Sequence, residues 1–198
     1  MITFYFLRHG IKKSVPFDPP LTEVGMKQAE LTAEYLKTIP FKTIVASPKL
    51  RTRQTAKATA GKIGLQIVLD ERLQERLEWE HGKSLEEFFE EWWKTDRDRK
   101  YQPKKGESSY NKGVQMRQVL DEFSKKHTEG NILFVTHGGS IGDLLRNLFI
   151  EEDIPLYKTD PKSGTRYIEL LECSLTVVQL EGDKYKLLRI NDTSHLSK

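Results

Sequence analysis

Short apolar runs alternate with amphipathic stretches along the chain. Ile2–Leu7 is a nearly uninterrupted apolar run, the pattern of a strand covered on both faces. In the following "PPLTEVGMKQAELTAEYL", Thr22 is placed to cap a helix on which Met26, Ala29, Ala33 and Leu36 share one face. "KTIVAS" (42–47) predicts a second strand. Ser47-Pro48 then reads as an N-cap with proline at the first helical position, opening a helix that runs to the glycines at 61 and 64. "LQIVLD" (65–70) predicts a third strand, and 73–82 has no clean period and reads as a structured loop. Residues 84–127 predict two helical pieces broken near "RDRKYQPKKGESS", with Met116, Val119, Leu120 and Phe123 on one face of the second. "NILFVT" (131–136) is a strand pattern, and Ile141, Leu144, Leu145 and Leu148 define the helix behind it. "RYIELLECSLTVVQLEGDKYKLLRIND" predicts two strands turning at Glu181-Gly182-Asp183.

Strands alternating with helices predict an α/β fold, three layers around a mostly parallel sheet, with an antiparallel pair at the C-terminal end. The expected organisation is one domain over 1–198, carrying a helical insertion or cap at about 76–112 that holds Trp79, Trp92 and Trp93. The basic run "KTDRDRKYQPKKGES" reads as a solvated turn or, alternatively, a lid that recruits an anionic substrate.

The 37% hydrophobic and 31% charged fractions are those of a globular chain, and the net charge of +3 falls short of a nucleic-acid binder's clustered charge. The single cysteine, Cys173, lies in an apolar run and reads as a buried structural thiol; it excludes an internal disulfide and a multi-cysteine zinc site. The opening residues lack a basic n-region, and no stretch reaches the length of a membrane span. The expectation is a soluble cytoplasmic protein with no nucleic-acid or membrane partner; oligomeric state is not legible.

Three predicted strands lead into basic groups: the first into Arg8 and His9, the second to Arg51, the third into His137. In a parallel sheet the carboxyl ends of the strands share one edge, so these side chains converge there. Helix N-termini at that edge favour an anion, and arginine forks match phosphoryl oxygens bidentately. With two histidines, one can attack while the other stabilises the transferring group. The constellation predicts a phosphate-binding pocket.

These segments resemble the histidine phosphatase superfamily, the phosphoglycerate mutase-like proteins. "FLRHG" is similar to that family's opening motif, "ASPKLRTRQTA" to its second, and "VTHGGSIGDLLRNLF" to the segment carrying its second histidine; "PLTEVGMKQAE", "GES" at 106–108 and the C-terminal stretch also match. The resemblance implies a phosphoglycerate mutase-like fold and metal-independent hydrolysis of small-molecule phosphate esters, with no cofactor. It implies a phosphohistidine at His9, phosphate binding by Arg8, Arg51 and His137, and a carboxylic acid that protonates the leaving alcohol. The Leu73-Gln74-Glu75 pattern gives that role to Glu75, with Glu71, Glu78 and Glu80 nearby. One departure stands out. The Glu and Asn that often follow the RHG motif are absent from "RHGIKKSVPFD", where Lys12, Lys13 or Ser14 would have to substitute. A phosphoglycerate mutase, a phosphoprotein phosphatase and a non-catalytic phospho-ligand module are the alternatives on the same fold. His81, His127 and His195 are expected to be structural or solvated, with His127 complementing a helix dipole.

Overall fold

A computed structural model describes residues 1–155, 157–161 and 164–197. The predicted strands form one six-stranded sheet built from β1 (Ile2–Arg8), β2 (Phe41–Ala46), β3 (Ile67–Leu69), β4 (Gly130–Thr136), β7 (Leu175–Glu181) and β8 (Lys184–Asp192). Its order is β3-β2-β4-β1-β7-β8. The first four of these are mutually parallel; β7 runs antiparallel to β1, and β8 antiparallel to β7.

The sheet separates two cores because side chains alternate along each strand. Phe4, Phe6, Ile132 and Phe134 face α4 (Ser109–Lys126) and α5 (Gly138–Leu148) through Met116, Leu120, Ile141 and Leu145. Leu7, Ile44, Leu133 and Val135 face the opposite layer, where α1 (Glu23–Leu36) and α2 (Leu50–Ile63) supply Leu36 and Ala56. Near-continuous apolar runs in β1 and β4 follow from this two-sided burial. The expected three layers are present. A further helix, α3 (Leu85–Arg97), stands apart from both cores, with only Thr95 and Asp96 of its residues buried.

Four expectations need correcting. Met26 is exposed at 40%; the inner face of α1 is Gly25, Ala29, Thr32, Ala33 and Leu36. Ser47-Pro48 does not open α2, whose N-cap is Lys49; the Ser47 hydroxyl turns to His137. The stretch beginning at Arg166 is not one strand. β6 (Arg166–Ile168) pairs with β5 (Tyr157–Thr159) in a separate hairpin, and the chain turns before β7 through Cys173 at φ +54°. The basic run 94–108, which begins in the last turn of α3, is partly built in: Thr95 and Asp96 are buried, and Arg99 donates to the Arg146 carbonyl at 3.0 Å.

The remaining single residues behave as read. Thr22 caps α1, and the Glu181–Asp183 turn joins β7 to β8. Cys173 is buried, and burial pushes its thiol up to about 12, out of reach of thiolate chemistry. His195 packs on Tyr35 and meets the Thr32 hydroxyl at 3.0 Å, whereas His127 caps the C-terminus of α4 and stacks on Phe123.

The N-terminus of α1 is pressed against the loop that follows β1. The Ile11 carbonyl accepts from the Thr22 N–H at 2.8 Å, and a Cβ on Gly25 would lie 2.1 Å from that same oxygen. Backbone cannot yield as a side-chain tip can, so Gly25→Ala is expected to destabilise the fold by about 1–3 kcal/mol. Urea unfolding would check this: an unchanged midpoint would mean that the two segments separate freely.

Candidate active site

The carboxyl ends of β1, β2 and β4 bring Arg8, His9, Arg51 and His137 to one cavity of about 530 Å³, as their positions in the sequence predict. His9 and His137 are 4% and 1% exposed, with ring centroids 5.2 Å apart and planes at 68°. The His9 N–H donates to the Thr136 carbonyl at 3.0 Å, continuing the β1–β4 ladder by one residue and fixing the backbone beneath the ring. The next amide, Gly10 N–H, donates to the Thr55 hydroxyl at 3.1 Å, which ties the loop to α2.

His9 Nδ1 lies 2.8 Å from the Gly10 carbonyl. A carbonyl only accepts, so Nδ1 carries the proton and Nε2 keeps the ring's basic lone pair. Burial, aided by the charges of Arg51 and Arg8, holds the pKa of His9 well below the ordinary histidine value. His137 is shifted in the same direction, again by burial first and then by Arg51. Both rings are therefore neutral at neutral pH.

Arg51, at the second position of α2, is 4% exposed. One arm reaches Glu78 at 3.3 Å and another lies 3.6 Å from Asp18. The Arg8 fork is turned toward the turn before β7: Nη1 donates to the Leu170 carbonyl and Nη2 to Glu172 at 2.6 Å. Buried nitrogens without a hydrogen-bond partner gather here: Arg8 Nε, Arg51 Nε and Nη1, and His137 Nδ1. Such groups are costly unless something accepts from them, and a tetrahedral oxyanion has the acceptors to match.

Glu75 stands on the neighbouring wall, held through the segment before it. Thr136 Oγ1 donates to the Leu73 carbonyl at 2.6 Å, and Ser140 Oγ to the Gln74 carbonyl at 2.9 Å. The Glu75 carboxyl accepts from the Gly139 N–H at 3.1 Å and lies 3.2 Å from the Ser140 hydroxyl oxygen, at the start of α5. Burial raises its pKa above the usual carboxylate range, opposed by Arg76 and by backbone N–H groups. Of the nearby carboxylates, Glu78 also lines the cavity but is paired with Lys49 and Arg51, whereas Glu71 and Glu80 lie outside it.

Lys12 lines the cavity, whereas Lys13, Ser14 and His81 do not. Trp79, Trp92 and Trp93 all line it. Among the described residues, no group of three or more His, Cys, Asp or Glu side chains is arranged to hold a metal ion, and no helix is long and apolar enough to cross a membrane.

The family model for the histidine phosphatase superfamily (branch 1) matches residues 4–193. The chain belongs to that superfamily. It is 32% identical to a probable phosphoglycerate mutase GpmB of Yersinia enterocolitica, a match covering 99% of this chain and 95% of that one. Among solved structures it is similar to a mycobacterial glucosyl-3-phosphoglycerate phosphatase in complex with inorganic phosphate, with a TM-score of 0.80, 21% identity, and 98% and 99% of the two chains covered. It is also similar to Bacillus stearothermophilus YhfR, with a TM-score of 0.76 and 26% identity over the whole of both chains. A third is a phosphoserine phosphatase of Entamoeba histolytica in complex with 3-phosphoglyceric acid, with a TM-score of 0.76, 22% identity, and 99% and 100% coverage.

Within this superfamily fold, the motif residues arrive with partners that sequence reasoning did not find. Ser47 contacts His137 Nε2 at 2.9 Å, and Thr55 braces Gly10. Arg76 is 2% exposed: it binds both oxygens of Asp143, at 3.0 and 2.9 Å, and Asp96 at 2.7 Å, while the Trp92 ring lies 3.7 Å from its guanidinium carbon. The one signal for Arg76 was its place directly after Glu75. Asp96 and Asp143 come from α3 and α5, and nothing in their local pattern marks them.

Proposed function

We propose that the chain is a phosphatase that hydrolyses small-molecule phosphate monoesters through a phosphohistidine at His9. The observation that carries this reading is the His9 tautomer: Nδ1 is committed to the Gly10 carbonyl and the ring is kept neutral, so Nε2 is a ready nucleophile. In the first step Nε2 forms a bond to phosphorus as the ester P–O bond breaks in line. Arg8, Arg51 and His137 bind the non-bridging oxygens, and Glu75 gives its proton to the departing alkoxide. In the second step Glu75, now ionised, takes a proton from water as its oxygen attacks phosphorus. The N–P bond breaks, returning His9 and releasing inorganic phosphate. The elevated Glu75 pKa supports the first role because the acid must enter the cycle protonated.

The curated relative's mutase designation supports phosphoryl-transfer chemistry at such a site. The absence of Glu and Asn after Gly10 favours transfer to water over the mutase alternative. The test is rapid mixing of enzyme with excess p-nitrophenyl phosphate, followed by mass spectrometry of the quenched protein. A phosphoryl group on His9, forming as fast as the first turnover, is expected. Steady turnover without that adduct would overturn the reading.

The pKa directions set the pH profile. His9 stays deprotonated to well below pH 6.5, so the acidic limb of kcat/KM lies below that value; Glu75 keeps its proton above 4.5, so its ionisation gives the alkaline limb. The maximum is expected between these two limbs. Glu75→Gln is expected to flatten the alkaline limb and to slow alkyl phosphates by about 10²–10⁴-fold, with a smaller loss on p-nitrophenyl phosphate, whose leaving group needs little protonation. Equal losses on both esters would remove Glu75 as the proton donor.

A further inference from the structure

Helix α3 is unusual in what it leaves uncovered. Leu85, Phe88, Phe89, Trp92 and Trp93 recur at helical spacing, as on a core-facing helix, yet none is fully buried; Leu85 and Phe89 are 44% and 43% exposed. All five line the same cavity that ends at His9. The rings are ordered among themselves, with Phe88 and Phe89 at 5.2 Å and Phe89 and Trp93 stacked at 5.9 Å. Trp79, Val15 and Phe17 extend the same lining.

This apolar wall reaches the proton donor. A Cβ on Gly139 would lie 2.4 Å from Trp92 Cη2 and 2.5 Å from Glu75 Oε1, so indole edge and carboxyl meet over the second residue of α5. An alcohol protonated by Glu75 leaves along Trp92. The cations deeper in that wall are already engaged: Arg76 by Asp96 and Asp143, Arg146 by Asp96 and Glu151. Lys12 is exposed. The carboxylates Glu78, Asp96, Asp143 and Glu169 that line the cavity are partners in such pairs, Asp96 and Asp143 with the arginines, Glu78 with Lys49 and Arg51, and Glu169 with Lys158, so the deeper wall offers an anionic leaving group no surplus positive charge.

Building on the phosphatase reading, we infer that the preferred substrate is the phosphate monoester of a flat apolar alcohol, aryl or arylalkyl, and not of a polyol or a hydroxy acid. The phosphate end supplies charge complementarity and the α3 wall removes the alcohol's apolar surface from water. A cavity of about 530 Å³ has room for such a group beside a phosphoryl unit.

The test compares 2-phenylethyl phosphate with glycerol 1-phosphate and 3-phosphoglycerate, all followed by release of inorganic phosphate. The first two leave as primary alcohols, so the comparison reads binding of the alcohol more than its basicity. The phenylethyl ester is expected to have a kcat/KM about 10–100-fold higher than glycerol 1-phosphate. Phe89→Ala and Trp93→Ala are each expected to lower that ratio by about three- to tenfold. Because the ratio is internal to one protein sample, partial unfolding does not move it. Equal values for the esters, preference for 3-phosphoglycerate, or a ratio unmoved in both variants would overturn the inference while leaving the phosphatase intact. Failure of the wild type on all of these and on p-nitrophenyl phosphate would overturn the phosphatase reading and this one with it.

Discussion

His9→Ala is expected to abolish phosphate monoester hydrolysis, with a loss of about four orders of magnitude or more in kcat. The loss is larger than for any other single change at the site because the two-step route has no substitute nucleophile. The neighbouring histidine has Nε2 engaged by the Ser47 hydroxyl at 2.9 Å. The groups proposed to bind the anion remain, however. Arg51 comes from α2, where it pairs with Glu78, and His137 from the end of β4, where it is hydrogen-bonded to Ser47 and only edges against the His9 ring, so the variant is expected to keep its affinity for inorganic phosphate. The measurement pairs p-nitrophenyl phosphate hydrolysis in excess chelator with phosphate binding by calorimetry. Dead catalysis with retained binding is the expected result, and residual activity near the wild-type level would assign attack to another group.

Arg76→Ala is expected to cost about 3–5 kcal/mol of stability. Asp143 and Asp96 are 1% and 7% exposed, and the guanidinium bonds to both. Removing it leaves carboxylates in a poorly solvated interior with partial compensation: Ser109 donates to Asp143 at 2.6 Å, and Arg146 lies 3.5 Å from Asp96. For a chain of this size the loss corresponds to a fall in Tm of roughly 6–20 °C. Arg76→Lys keeps the charge but not the fork that spans two carboxylates, and an intermediate value is expected. Arg76 also lowers the pKa of Glu75, so in the alanine variant the alkaline limb of activity moves to higher pH. Calorimetric melting with a pH–rate profile reads both effects, and an unchanged Tm would show that the acidic pair is relieved by protonation alone.

What the sequence made legible was whatever repeats at short range or is carried by a motif. Apolar periodicity located the strands of the central sheet, and the strand-end rule placed Arg8, His9 and His137 together before any contact was known. Ser47 was misread because serine before proline has a local meaning, helix capping, and its real partner lies 90 residues away. Met26 was misread because a helix of this period has two plausible apolar faces, and the inward one includes Gly25, which is chosen by close approach to the loop after β1. The Arg76–Asp96–Asp143 cluster was invisible for the same reason as Ser47: each member is an ordinary charged residue in its own segment. The aromatic stripe of α3 was legible as a helix, but only its standing apart from both cores shows that it faces a cavity.

The strand order has a consequence for synthesis. β1 precedes both of its neighbours in the sheet, β4, which starts at Gly130, and β7, which starts at Leu175. The earlier strand must wait for β4 before its first edge is covered and for β7 before its second. Its apolar run, Ile2–Leu7, therefore stays uncovered while the intervening helices and strands are made, and closing so long a loop slows folding. Chains that stall before β7 carry this run with one edge open, which makes them the form that chaperones would hold or that would aggregate. The proposed nucleophile at the end of that strand thus reaches its final setting only once β4 and β7 have been made.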